Sequence, residues 1–339
     1  MEIYTNIYKT MDAIKTSSTF APANMDGPED ARQRAMLDDA FTPEVVEEMR
    51  LMIHGVVDRV LDEINQKYVE TGKPFDLIEE FAVPVPMQIA CKLLGIPEDD
   101  VGRLSSNDEQ TLRAYVDKLV DARIGKSDRE HGDLVSRLLR EQYRKGVMSR
   151  DDIIELALLL LGSGNVALAH SIGLGVLTLF QHPEQWAKVR RNPLAWAPSV
   201  VDECLRYKTV SLSAPNSPGT PAAKKTTPAI QSDKIDRDLT TTTGAVQAGD
   251  WNRRRPSDPD KFDIHRNGYG PHVRESEHLM RIELEIALGT LFSRFPGLRF
   301  DAAVEDVMEW SPTQSGGISK LPVLVDTDAE MHRILIACD

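Results

Sequence analysis

The chain has 339 residues, 41% of them apolar and 27% charged, which suits a globular protein with a sizeable core and excludes fibrous or wholly disordered classes. Its net charge of −13 repels phosphate backbones and excludes a general nucleic-acid partner. Cys91, Cys204 and Cys338 are too few for a disulfide framework, the opening MEIYTNIYKTMDAIKTSS lacks the apolar middle of a signal peptide, and no window approaches the roughly 20 apolar residues of a membrane span, so a cytoplasmic, reduced protein is expected.

Residues 1–23 are weakly patterned and read as a loose lead-in. Helical signal begins at Phe41-Thr42-Pro43, with Thr42 as cap and Pro43 in the first turn. Val45, Val46, Met49, Met52, Ile53, Val56, Val57, Val60, Leu61 and Ile64 then recur mostly at spacings of three and four. That spacing predicts one apolar face on a long helix. Asp76 to Leu94 is a second helical region, broken near Pro84 and Pro86 and stopped by Gly95 and Pro97. Asp117 to Arg144 is charged and helical. Asp151 to Gln181 is apolar nearly all round in its middle, which predicts a buried helix. Gly162, Gly164, Gly173 and Gly175 weaken that helix unless packing or a ligand requires them. Pro183, Trp186 and Val189 open another helix, and Pro198 to Tyr207 forms one more. Ser211 to Gly249 is rich in Ser, Thr, Ala, Pro and Lys, lacks aromatic residues, and reads as a low-complexity insert. Order resumes at Asp258 to Ile264, a last helix spans Ser276 to Phe292, and ISKLPVLVD alternates as a short strand. The result is one mainly α domain over 24–339 with a reduced β part, interrupted at 211–249.

Several segments carry a specific resemblance. They are MDGPEDARQRAMLDDAFTPEVV, DLIEEFAVPVPMQIACKLLGIPEDD, HPEQWAKVRRNPLAWAPSVVDECLRY, DPDKFDIHR, FPGLRF and GISKLPV. In this order and spacing they resemble the bacterial cytochrome P450 family, from about Asn24 to Val325. The resemblance implies the mainly α P450-like helical fold, haem as cofactor, and mono-oxygenation of a small hydrophobic substrate. It makes Glu203 and Arg206 the family's buried structural E-x-x-R pair, and Arg34 and His272 retained haem-contact positions.

The departures bear on function. The family's haem loop, F-G-x-G-x-H-x-C-x-G, corresponds here to NGYGPHVRES. Gly268, Gly270 and His272 match it, while Asn267 replaces the aromatic residue, Ser276 the last glycine and Arg274 the haem-ligating cysteine. A guanidinium stays protonated and cannot stand in for a thiolate. The family's A/G-G-x-D/E-T-T motif falls on the buried helix, where Val166 takes the acid position, Ala167 the threonine and Leu168 the second threonine. None of these side chains relays a proton. Asp30 stands where a family histidine faces a haem propionate, an arrangement of like charges.

These changes imply a family member that has lost thiolate-haem mono-oxygenase activity, either decayed or repurposed. The haem-less members that act as auxiliary partners of biosynthetic enzymes such as glycosyltransferases are the nearest parallel. Two alternatives stay open: the parental haem-dependent mono-oxygenase, and a haem-free cyclase or isomerase using the old pocket. Whether the chain is an enzyme is open on the same grounds. A protein partner and a small hydrophobic ligand are both compatible with the sequence. His272, Glu275, Glu277 and His278 are dense enough to attract a divalent cation, but acids also favour a solvated helix start, and no metal site is assigned. Cys91 lies on an apolar face and reads as core, Cys204 sits inside the E-x-x-R turn, and Cys338 lies at the terminus. None is placed to replace the missing ligand.

Overall fold

The computed structural model describes residues 41–104, 109–124, 132–213, 261–266, 275–301, 318 and 320–326. The lead-in, the insert beyond Ser213, the start of the meander at 258–260 and the loop at 267–274 lie outside them. Helix α1, Pro43–Ile64, buries Val46, Ile53, Val56, Val57, Val60, Leu61 and Ile64 of the face its spacing predicts, while Val45, Met49 and Met52 are half-buried. Thr42 is its N-cap residue, but its side chain accepts no helix amide. After strand β1, Phe75–Asp76, a π turn at Ile78–Ala82 leads into α2, Pro84–Leu94. The proline break seen in the sequence is therefore the start of a helix, where a missing N–H costs nothing.

Helix α2 stops at Gly95, whose φ of 70° lies in the left-handed region. An ion pair locks this corner. Arg123 donates from Nη2 to the Gly95 carbonyl (2.9 Å) and from Nε to Asp133 Oδ2 (3.1 Å). A Cβ at position 95 would stand 2.6 Å from Asp133 Oδ2. Gly95→Ala is expected to cost about 1–3 kcal/mol, from φ strain plus displacement of that pair. Chemical denaturation would measure it, and a loss below about 0.5 kcal/mol would contradict the clamp.

Helices α3, Glu98–Leu104, and α4, Glu109–Arg123, follow. The predicted charged stretch 117–144 is not one helix. Asp133 caps a new one, α5, Leu134–Leu138, by accepting from the Ser136 amide, and a π turn at Leu139–Tyr143 extends it. A side-chain cap satisfies a free amide that a continuous helix would not present. Helix α6, Arg150–Leu159, opens on a capping box between Ser149 and Asp152. A π turn at Leu160–Gly164 joins it to α7, Asn165–Phe180. Contrary to the sequence expectation, the run Arg150–Phe180 is long and apolar enough to cross a membrane; 81% of its apolar window is buried inside the fold. Burial of an all-round apolar helix in a protein core meets the same physical demand as lipid.

Helix α8 spans Pro183–Val189 and α9 spans Pro193–Ser213. The latter begins five residues before the predicted start at Pro198 and runs three residues into the predicted insert. Pro198 is tolerated inside it at the loss of one ladder bond. Helix α10 is Glu275–Arg294. Strands β2, Leu298–Phe300, and β3, Pro322–Val325, complete an antiparallel sheet in the order β1–β3–β2. Phe75 pairs with Val323 on one side, and Leu298 with Val325 on the other. The strand expected from ISKLPVLVD is thus the sheet's centre. Asp76 Oδ1 pins the junction by accepting from the Leu321 and Ile78 amides, both at 2.9 Å.

Helix α7 runs through the core, packed on α2, α9 and α10. One of its glycines is closely packed: a Cβ at Gly173 would meet Ile78 Cδ1 at 2.5 Å, whereas one at Gly175 would make only ordinary contact with Leu288 Cδ1 at 3.4 Å.

Candidate functional site

The core helix is broken where the sequence places its catalytic motif. Gly162 has φ −98° and ψ −105°, far from helical values, inside the π turn. Such one-turn insertions concentrate at functional sites. The backbone amide of Asn165 turns to the Gly162 carbonyl. Its usual partner, the Leu161 carbonyl, instead accepts from Asn165 Nδ2 at 2.9 Å, and the same nitrogen lies 3.6 Å from Met87 Sδ on α2. Sequence reasoning passed over Asn165. The visible signal was an amide in the middle of an otherwise apolar run.

Val166 and Ala167 follow directly. Most of the α6–α7 rod is buried, yet Leu159 and Leu160 before the break and Val166 and Ala167 after it are half-buried. All four side chains are apolar and carry no acid, base or hydroxyl.

Glu203 and Arg206, one helical turn apart on α9, are each 2% exposed. Arg206 donates from Nε to Glu203 Oε2 and from Nη2 to Oε1, both at 2.7 Å. Arg206 Nη2 also reaches the Lys261 carbonyl at 3.0 Å, and Glu203 Oε1 accepts from the Asp263 amide at 2.8 Å. Gln185 ties the same segment from α8. It donates to the Phe262 carbonyl (2.6 Å) and accepts from the Ile264 amide (2.8 Å). The pair and Gln185 together staple the 261–266 segment to two helices, which neither residue type nor spacing reveals.

Of the described cysteines, Cys91 is a core thiol and Cys204 is half-buried against the core. Cys91 is buried, and burial pushes its thiol up to about 12. The Cys204 sulfur would lie 3.6 Å from a Cβ at Gly175, and burial with the nearby Glu203 charge also pushes it up to about 12. One further buried group was not anticipated. Glu283 on α10 is 5% exposed, and its Oε2 has no hydrogen-bond partner among the described residues. Burial pushes its carboxyl up to about 8. Its signal was an acid set among apolar residues in RIELEIAL.

Asp30, Arg34, Gly268, Gly270, His272, Arg274 and Cys338 lie outside the described residues. The structure thus brings together Val166, Ala167 and the break, and separately Glu203 with Arg206.

No protein-family model matches the chain. Solved structures do. Cytochrome P450 MoxA from Nonomuraea recticatena aligns with 89% of this chain and 77% of its own, at a TM-score of 0.67 and 27% identity. The mainly α architecture around a broken central helix is accordingly the P450 fold. Among curated proteins, the pentalenic acid synthase of Streptomyces avermitilis is 32% identical, over 92% of this chain and 79% of its own. Cytochrome P450 55A3 of Fusarium lichenicola is also 32% identical with the same coverage. The chain belongs to the cytochrome P450 family.

Proposed function

We propose that this chain is a P450-family protein without thiolate-haem mono-oxygenase chemistry, serving as an auxiliary component in the synthesis of a natural product. The observation that carries the reading is the pair Val166 and Ala167 beside the break. The positions that resemble the family's acid and alcohol offer only methyl groups. Haem is the family's cofactor, and the residues at hand do not fit a thiolate-bound haem. Arg274 at the ligand position is a fixed cation. Cys91 is buried and Cys204 half-buried on the helices, and burial pushes both thiols up to about 12, away from the thiolate form that binds metal. No step is therefore routed through haem. The reading adds a small hydrophobic ligand beside the broken helix, where Leu159, Leu160, Val166 and Ala167 are half-buried, and a protein partner such as a glycosyltransferase.

The test is an absorption spectrum of the protein expressed with a haem precursor, oxidised and then reduced under carbon monoxide. A folded, helical protein without the thiolate-type reduced band is expected. That band would overturn the reading. Arg274→Cys is expected to leave hydroxylation absent, because Val166 and Ala167 still lack groups that deliver protons. Recovery of turnover by that one substitution would refute the account of the helix.

A further inference from the structure

Two exposed leucines stand in settings of opposite charge. Leu51 on α1 is 84% exposed and Leu194 at the start of α9 is 61% exposed, the highest values for large apolar residues among the described residues. A single exposed apolar residue is ordinary, but these two settings are not. Glu44, Glu48, Leu51 and Gly55 follow one another at spacings of four, three and four, so they share one stripe of α1. All four are exposed, and a Cβ at Gly55 would meet nothing within 4 Å. The stripe is acidic, with a leucine beside bare backbone. Glu47 next to it is held by Arg50 at 2.8 Å, and Glu48 lies within electrostatic reach of Arg137 on α5.

Leu194 has the opposite surroundings. Lys188, Arg190 and Arg191 crowd the end of α8. Lys188 donates from Nζ to His265 Nε2 (2.9 Å), which joins α8 to the segment that carries the exposed Lys261. Cations suit a helix C-terminus, but here they face only one exposed acid, Glu184, among the described residues of 183–194 and 261–266. On a chain of net charge −13 this is a local basic patch. Helix α10 links the two settings. Its Arg294 pairs with Asp62, further along the α1 stripe. Its Gly289 packs at the start of α9, where a Cβ would stand 3.3 Å from Leu194 Cδ2 and 3.2 Å from Ala197 Cβ.

We propose that a second copy of this chain covers this face, with the acidic α1 stripe of each copy laid on the basic α8–α9 patch of the other. Both halves of the complementary pair are present on one chain, which selects a second copy over an unrelated protein. The opposed charges steer the encounter and fix the register, and the leucines form the apolar centre, with Leu194 of one copy beside Gly55 and Leu51 of the other. A reciprocal, twofold contact closes at two copies, whereas a head-to-tail contact grows into larger assemblies. The inference goes beyond the proposed loss of mono-oxygenation and needs neither haem nor substrate.

Sedimentation velocity of the full chain tests it. A dimer is expected at about 0.1 M salt and a shift toward monomer at about 1 M, where the Debye length falls from ~10 Å to ~3 Å. Glu48→Lys and Arg191→Glu each set like charges against each other in a dimer of one variant. Each is expected to weaken dimerisation about tenfold on its own. An equimolar mixture of the two variants is expected to dimerise as the parent does, because each interface then pairs opposite charges again. Leu51→Ser and Leu194→Ser change no charge and are expected to weaken dimerisation to a similar degree, which keeps the test open if a charge variant does not fold. A parent that stays monomeric, assembles beyond two copies, or dimerises equally at both salt concentrations overturns the proposal. So does a mixture that fails to recover the dimer, or serine variants that dimerise like the parent.

Discussion

Replacing Glu283 with glutamine is expected to abolish a loss of stability that the parent protein suffers as the pH rises. Glu283 is buried on α10, and burial alone pushes its carboxyl from 4.5 to about 8. The nearest ion pairs of that helix, Arg281 with Asp202 and Arg294 with Asp62, are committed to other helices. The folded protein keeps the Glu283 proton to about pH 8, whereas the unfolded chain releases it near 4.5. Between those values the unfolded state binds fewer protons, so stability falls with rising pH. This group's stabilising contribution is fully present below about pH 4.5 and lost by about pH 8. The change is on the order of 3–5 kcal/mol. Glutamine keeps the shape and carries no proton to lose. Urea denaturation at pH 5 and pH 9 should show the parent losing several kcal/mol relative to Glu283→Gln. Parallel pH profiles for the two proteins would refute a buried, neutral Glu283.

Breaking the Glu203–Arg206 pair on one side should be almost as damaging. Arg206→Met leaves the Glu203 carboxylate 98% buried with its bidentate partner removed. An uncompensated buried charge of this kind costs about 3–5 kcal/mol. Arg266 Nε, at 3.4 Å from Glu203 Oε1, offers only a weaker second contact. Glu203→Leu strands the arginine in the same way. The double variant Glu203→Leu, Arg206→Met should cost less than the sum of the two, because it leaves no unpaired charge. It still leaves the Lys261 carbonyl and the Asp263 amide without these partners, at about 1–3 kcal/mol each. Denaturation of all four proteins closes the cycle. A cost for Arg206→Met within about 1 kcal/mol would mean that the pair does not bind the 261–266 segment to α9.

The sequence alone determined the helical class, the buried central helix and the family resemblance. Each follows from local regularities: apolar spacing on α1, all-round apolarity on α6 and α7, and a turn containing glutamate and arginine in α9. It also located the helix stop at Gly95 and the central strand in LPVLV, since glycine and alternating apolar residues act over a few neighbours. What it could not determine depends on contacts between distant residues. That Gly95 must lack a side chain is decided by Asp133 and Arg123, and that Gly173 must lack one by Ile78. The stretch 117–144 divides because Asp133 caps a new helix, a choice that periodicity does not reveal. Spacing predicts one continuous rod from 151 to 181, and only the tertiary structure breaks it. There Gly162 takes non-helical dihedrals, the Asn165 side chain donates to the Leu161 carbonyl, and Met87 from another helix lies beside it. Glu283 stands in sequence among apolar residues, but that alone does not bury it. Only the packing of α10 against α1, α7 and α9 makes it a buried acid, because desolvation is a property of everything that surrounds a group.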